Sequence, residues 1–309
     1  MEAYIAAAIQ WAPEVLDPQK GGEKAAAAIA EAAEMGAKLV VFPEVWLQGY
    51  PYWSGLAPSS PEYQAFRQLS YESSISIHDP VLDPVYAAAK EHACTVVIGI
   101  QEKQGGTLYC TLLYIGPDGK VLGKHRKLIP TQAERLVWGR GDGSDLDVYP
   151  TPVGRIGGLN CFEHQMAPAR LALSDMNIEV HAAAWPGHAF LDGIIDASTR
   201  NLAHENACFV VVAREFMSAD QVPDNFPMSD EAAPHWNGHG GSAIIAPGGE
   251  YIAEPTFDKE CIVTGEIDLS RIAVNKWFFD GTGHYSRPDV FQLRWDKREK
   301  PPVDTLEHD

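Results

Sequence analysis

The order of the apolar segments constrains this chain more than any other feature. Short β-branched or Ala/Val-rich runs alternate with longer helix-forming ones along most of its length. Strand-like runs occupy residues 4–10, 38–42, 95–101, 156–160, 179–184, 209–213 and 262–267. Helix-like runs occupy residues 18–35, 60–72, 83–92, 167–176, 193–207 and 269–278. The helix at residue 60 opens on Ser60-Pro61, a cap followed by a proline at the first position, and the helix at residue 18 stops at Gly36. Such alternation indicates an α/β fold. Two strand pairs interrupt it. Residues 108–115 and 121–127 flank Pro117-Asp118-Gly119, while residues 241–247 and 250–253 flank Gly248-Gly249. Tight turns join antiparallel neighbours, so the sheet structure is mixed rather than purely parallel.

The length of 309 residues suits one domain with a large core. We read residues 1–296 as that domain and residues 297–309 as a polar, disordered tail. A net charge of −18, with no basic stretch, argues against nucleic acid and anionic membrane surfaces as partners. No apolar run approaches the roughly 20 residues that span a bilayer, and none at the start reads as a secretory signal. Cys94, Cys110, Cys208 and Cys261 lie in or beside apolar runs and read as core thiols, without zinc-ligand spacing. The chain therefore reads as a cytoplasmic, reduced protein.

The fifth cysteine differs. Cys161 follows Gly157-Gly158-Leu159-Asn160 and precedes Phe162-Glu163-His164, between a strand and a helix-forming run. That is the layout of a nucleophile on a tight strand-to-helix turn. Exposure at a sheet rim near a helix N-terminus would favour the thiolate. Two more segments place charged groups at strand ends. Glu44 follows the strand at 38–42, and Lys127 ends the strand at 121–127, with Glu134 seven residues on in Pro130-Thr131-Gln132-Ala133-Glu134-Arg135. The carboxyl ends of strands are where open α/β sheets build their sites. Each charge alone reads as a solvated loop residue; the three together do not.

These three segments, in this order, resemble the nitrilase (carbon–nitrogen hydrolase) superfamily, from about Tyr4 to about Leu293. The resemblance implies a four-layer α-β-β-α sandwich with two mixed sheets, and subunits paired as homodimers or larger homo-oligomers. It implies a catalytic Glu44-Lys127-Cys161 triad with Glu134 as a second glutamate. Glu44 would be the base, Cys161 the nucleophile, and Lys127 with the Phe162 N–H the stabiliser of developing charge. Glu134 either holds Lys127 or assists the water step. Cys161-Phe162-Glu163-His164 keeps the Glu and His of the nitrilase branch but has Phe where Trp is typical. The expected activity is hydrolysis of an organic nitrile to a carboxylic acid and ammonia. Amidase and cyanide hydratase or dihydratase activities of the same superfamily are the alternative. A small-molecule nitrile is the expected partner, and no cofactor or metal is implied.

By the same resemblance Tyr50, Phe162, His164, Trp185 and Pro186 belong to the substrate pocket, with His188 nearby. Trp53 divides evenly between pocket and aromatic core. His164, three residues from Cys161, reads as a positioning residue rather than the base of a Cys-His hydrolase. His235 and His239 have a metal-like spacing, but Asn237-Gly238 and Gly240-Gly241 make the stretch a loop and a metal site improbable. Gly139-Arg140-Gly141-Asp142-Gly143 lacks a phosphate-binding Lys-Ser/Thr and reads as a turn. The short C-terminal extension favours a small oligomer over a filament.

Overall fold

A computed structural model describes residues 2–224, 226, 230 and 233–301. Its first sheet contains β1 (Tyr4–Ile9), β2 (Ala37–Val41), β3 (Thr95–Gln104), β4 (Thr107–Ile115) and β5 (Val121–Arg126). Its second contains β6 (Tyr149–Thr151), β7 (Gly154–Asn160), β8 (Val180–Trp185), β9 (Phe209–Arg214), β10 (Phe216–Ser218), β11 (Asn237–Ile245) and β12 (Tyr251–Phe257). The last strand, β13 (Ile262–Ile267), returns to the first sheet beside β1. The orders are β13-β1-β2-β3-β4-β5 and β10-β11-β9-β8-β7-β6, with β12 also on β11. Both sheets are mixed: β1, β2 and β3 run parallel, as do β7, β8 and β9, and the hairpin strands are antiparallel. The helices are α1 (Pro18–Glu34), α2 (Pro61–Ser73), α3 (Asp83–Glu91), α4 (Ala167–Asp175), α5 (Asp192–Asn206) and α6 (Ser270–Phe278).

Strand alternation accounts for the layers. Leu39 and Val41 face the other sheet, where they join Ala182, Ala184, Val211 and Ala213 in a core of small side chains. Val40 and Phe42 face outward and pack under Ala25, Ile29 and Ala32 of α1 and Val85 of α3. Across the second sheet Ala183, Val210 and Val212 pack under Leu173 of α4 and Leu202 of α5. Apolar layers on both sides of each sheet give the four-layer sandwich that the family resemblance implies. The Ser60 cap is as read, its Oγ accepting the Tyr63 N–H at 3.1 Å, and at the start of α1 Asp17 Oδ1 accepts the Lys20 N–H at 3.1 Å.

One reading needs correction, and two short strands were not foreseen. The stretch around His239 is not a loop, because β11 runs from Asn237 and its first residues pair with β10. The glycines there are consumed by strand pairing beside buried side chains; a Cβ on Gly241 would stand 2.3 Å from Arg214 Nη1. The short strands β6 and β10 have no apolar run of their own and are held by their neighbours β7 and β11. The Gly139–Gly143 run is irregular, as expected, but it does more than turn. Gly141 donates its N–H to the Lys127 carbonyl at 2.8 Å, and a Cβ there would meet the Arg126 carbonyl at 2.3 Å. Of the expected tail, residues 297–301 lie without regular structure beside Asp142, whose carboxylate accepts the Lys300 N–H at 2.8 Å. Residues 302–309 lie outside the described residues.

Candidate active site

Three strand ends deliver the charged groups. Glu44 follows β2, Lys127 follows β5 and Cys161 follows β7. Each exit is marked by a non-glycine residue in the left-handed region: Val45 at φ 51°, Gln132 at φ 46° and Cys161 at φ 50°. For a β-branched residue such as Val45 this conformation is a real outlier, and each such residue costs roughly 1–3 kcal/mol. Such strain persists only where the surroundings over-determine it. At Glu44 the surroundings include Gly99 of β3, where a Cβ would lie 2.3 Å from both the Pro43 carbonyl and the Val45 nitrogen. The absence of a side chain at Gly99 lets the Glu44 turn sit on the strand.

The side chains converge in the interior. Lys127 Nζ donates to Glu44 Oε1 at 2.7 Å and to Glu134 Oε2 at 2.6 Å, and all three residues are buried. One oxygen each of Glu44 and Glu134 and the Cys161 sulfur lie within 4.8 Å of one another. A divalent cation would suit that donor set, but the ammonium already occupies the space between the carboxylates. Glu134 is satisfied on both oxygens, since Oε1 accepts the Tyr50 hydroxyl at 2.7 Å and Oε2 also accepts the Thr131 N–H at 2.6 Å. Glu44 is not. Its Oε1 accepts the Cys110 thiol at 3.3 Å besides Lys127, whereas Oε2 is buried without a bonding partner among the described residues. That oxygen is free to accept a proton.

Electrostatics follow from this burial. Glu44 rises to about 7, chiefly by desolvation; Lys127 opposes the rise and Glu134 adds to it. Cys161 is held well above the ordinary thiol range, again chiefly by burial, with Lys127 pulling it down and the two glutamates pushing it up. Only 2% of Cys161 is exposed. The expectation of an exposed thiol favoured as a standing thiolate is therefore corrected. The turn after Cys161 is a 3-10 turn through Gln165, and α4 begins only at Ala167, so no helix N-terminus follows the sulfur directly. A neutral buried thiol can attack only as it gives up its proton, and Glu44, near neutrality, is an acceptor suited to that chemistry.

A cavity of about 290 Å³ opens beside this group, lined by Cys161, Glu134, Tyr50, Phe162 and Pro186 among others. Three of the expected pocket residues stand elsewhere. Trp53 is 1% exposed and packs against Tyr63 and Phe66 at ring separations of 5.2 and 6.2 Å, so it belongs to the aromatic core. Trp185 is buried and stacks on His164 at 4.8 Å. His164 is beneath the nucleophile rather than beside its sulfur: Nδ1 meets the Cys161 carbonyl at 2.7 Å and Nε2 meets His181 Nε2 at 3.0 Å. Burial lowers His164 to about 4, so it is neutral and serves as a strut for the strained turn.

Glu163 is a further tie that sequence reasoning noted only as a motif match. Its Oε1 accepts the Leu128 N–H at 2.7 Å and Oε2 accepts the Asn160 N–H at 2.8 Å. One carboxylate thus clamps the residue after Lys127 to the residue before Cys161. His125 Nε2 lies 3.1 Å from Glu163 Oε2, and its Nδ1 lies 3.7 Å from Asp145 Oδ1. Burial pulls His125 down, but the charge of Glu163, its hydrogen bond and the nearby Asp145 carboxylate outweigh it and hold the imidazole at about 10. The ring is therefore a buried cation. Cys110, read from sequence as a core thiol, and Tyr50, read as a pocket wall, also prove to bond the two glutamates. No sequence signal distinguishes these roles, because they depend on contacts 66 and 84 residues away in the chain.

Comparison with known proteins gives a consistent picture. A profile of the carbon–nitrogen hydrolase family matches residues 5–276. The chain is 40% identical to a nitrilase 2 of an unknown prokaryotic organism, covering 95% of this chain and 93% of the relative. It is 38% identical to the aliphatic nitrilase of Rhodococcus rhodochrous, covering 98% and 85%. Among solved structures, the carbon–nitrogen hydrolase from Helicobacter pylori G27 has the same fold at a TM-score of 0.74 and 18% identity, covering 94% of this chain and 97% of that one.

Proposed function

The chain belongs to the carbon–nitrogen hydrolase family, and from that premise we propose that it is a nitrilase in which Cys161 attacks the cyano carbon. The observation that carries this reading is the closed quartet, with Lys127 held at 2.7 and 2.6 Å from two buried glutamates beside the Cys161 thiol. Glu44 accepts the thiol proton on its free oxygen as sulfur bonds to carbon. The proton then passes to the nitrogen, giving a covalent thioimidate. A first water adds to the imidate carbon; the C–N bond breaks and ammonia leaves, so a thioester remains. A second water adds, the C–S bond breaks, and the carboxylic acid departs with the thiol restored. The Lys127 ammonium and the Phe162 N–H supply positive charge where negative charge develops. Glu134 and Tyr50 keep the ammonium in place. His164 bonds the nucleophile's carbonyl and not its sulfur, which favours this scheme over a Cys-His hydrolase.

Self-association belongs to the same reading. Val274, Trp277 and Phe278 on α6 are 61%, 75% and 63% exposed, and Phe291 beyond it is 80% exposed, an apolar surface that supports a homo-oligomer. No described helix is long and apolar enough to cross a membrane. All five cysteines are unpaired, which supports a reducing, cytoplasmic setting.

The test is ammonia release from aliphatic, aryl and arylacetonitriles, each beside its matched amide, with Cys161→Ala as control. Turnover of nitriles above amides, lost in the control, is expected. Turnover of amides alone would move the protein to the amidase alternative.

A further inference from the structure

Two of the thiols that the sequence assigns to the core donate hydrogen bonds, and their acceptors differ in kind. Cys94 donates to the Ala37 and His92 carbonyls at 3.2 and 3.5 Å, ordinary contacts for a buried thiol. Cys110 donates at 3.3 Å to Glu44 Oε1, the carboxylate that serves as the base. The reaction described above gives Cys110 no part.

Its place in the fold accounts for the contact. Leu112 and Tyr114 of β4 face the space between the sheets, and strand alternation carries Cys110 on the same face to the end where the site lies. The residue is buried in one apolar cluster with Leu108, Tyr50 and Trp138. Its backbone is used as well. The Cys110 carbonyl accepts the Lys127 N–H at 2.8 Å, which extends the β4–β5 ladder one step past the pair of Thr111 and Arg126. One residue therefore holds the side chain of Glu44 and the main chain of Lys127. Burial, with the Glu44 charge adding to it, keeps the thiol well above its ordinary range, so it stays an S–H donor.

We propose that Cys110 is a positioning residue for the base: its S–H, together with Lys127, fixes the plane of the Glu44 carboxylate and keeps the open oxygen, Oε2, for the Cys161 proton. The terminal torsion of a glutamate is broad, so a single donor leaves the carboxylate plane loose. A second donor on the same oxygen narrows it. Lys127 at 2.7 Å and Cys110 at 3.3 Å both act on Oε1, and none of the described residues bonds Oε2. The same bond favours the carboxylate over the acid, because the S–H donates to the charged form. Cys110 keeps its own proton throughout the reaction.

This rests on the nitrilase reading, and the experiment separates the two. Three variants of the full chain are compared. Cys110→Ala and Cys110→Val remove the donor, Val while filling more of the space, and Cys110→Ser keeps it. Steady-state kcat and KM are measured from about pH 6 to about pH 9 on the fastest of the nitriles above. Without the donor Glu44 holds its proton more tightly. Ala and Val should therefore lower kcat/KM roughly ten-fold at the acid end, through kcat rather than KM, with the deficit narrowing at the alkaline end. Ser should recover most of the loss. Alkylation of Cys161 by iodoacetamide, followed by mass spectrometry, should show the same pH-dependent deficit without any substrate. No deficit, an equal deficit at every pH, or a Ser variant as impaired as Val would overturn the proposal. If Cys110→Ala fails to fold, Cys110→Val decides the same point. Turnover of amides alone would sink the nitrilase reading, and the alkylation profile would still decide the role of Cys110.

Discussion

The polar groups around Cys161 and the Glu215 carboxyl are buried on opposite principles. Around Cys161 the charged groups are tied to one another: Glu134 accepts three hydrogen bonds, Lys127 bridges two carboxylates and Glu163 ties two strand exits together, while Glu44 Oε2 is left open. The Glu215 carboxyl has no such ties, with both oxygens unengaged among the described residues. The difference shows where positioning matters. A reacting group must be held before substrate arrives, because a displacement of about 1 Å can cost on the order of 100-fold in rate.

Substitutions among the tied groups should therefore have the larger effects. Cys161→Ala should lower kcat by at least roughly 10⁴-fold while the far-ultraviolet circular dichroism stays native. Persistent turnover would remove the nucleophile from the scheme. Lys127→Ala comes next, since it leaves two buried carboxylates without their shared cation. Breaking such a pair costs about 3–5 kcal/mol, so thermal stability should fall together with activity. His164→Ala should be much milder, and a reversal of that ranking would restore the Cys-His alternative.

Glu163→Gln tests the clamp. It keeps the shape of the side chain but removes the charge that holds His125, Leu128 and Asn160, and kcat should fall roughly 100-fold with a smaller change in KM. Glu163→Asp should not rescue it, because the shorter side chain does not span the two exits. A subtler test uses pH. Because Glu44 must be unprotonated to accept the thiol proton and sits at about 7, kcat/KM should fall as pH drops below neutrality. An acid limb near the ordinary carboxylate range of about 4 would place the base elsewhere.

The smallest expected effect concerns stability. The pKa of His125 is raised from 6.5 in the unfolded chain to about 10 in the fold. Its stabilising contribution is thus complete below pH 6.5 and is lost as pH rises toward 10. The stability difference between wild type and His125→Gln should shrink across that window. A constant difference would mean that the ring is held neutral.

The particular residues show how far sequence alone reached. Glu44, Lys127 and Cys161 could be singled out because each sits in a short local pattern at the end of a strand, Glu134 entered only through the family resemblance, and the alternation of strands and helices already required a layered α/β fold. The same alternation located the principal strands to within a few residues. It missed β6 and β10, three residues each, which exist only because a neighbouring strand offers them hydrogen bonds. Trp185 and His164, expected at the pocket, do not line the cavity, and Trp53, left open between pocket and core, joins the core, for a related reason. Proximity in sequence to a catalytic motif says nothing about which face of the turn a side chain takes.

What the sequence determined by itself was the α/β fold class; the four layers and the candidate reacting groups came with the family resemblance that its motifs carry. These depend on periodicity and on motifs a few residues long. Tertiary structure alone decided that the thiol is buried and not a standing thiolate. It alone decided that Cys110 and Tyr50 bond Glu44 and Glu134, and that both Glu215 oxygens are buried without a partner among the described residues. Burial and pairing depend on which distant segments close over a residue, and no local pattern encodes that.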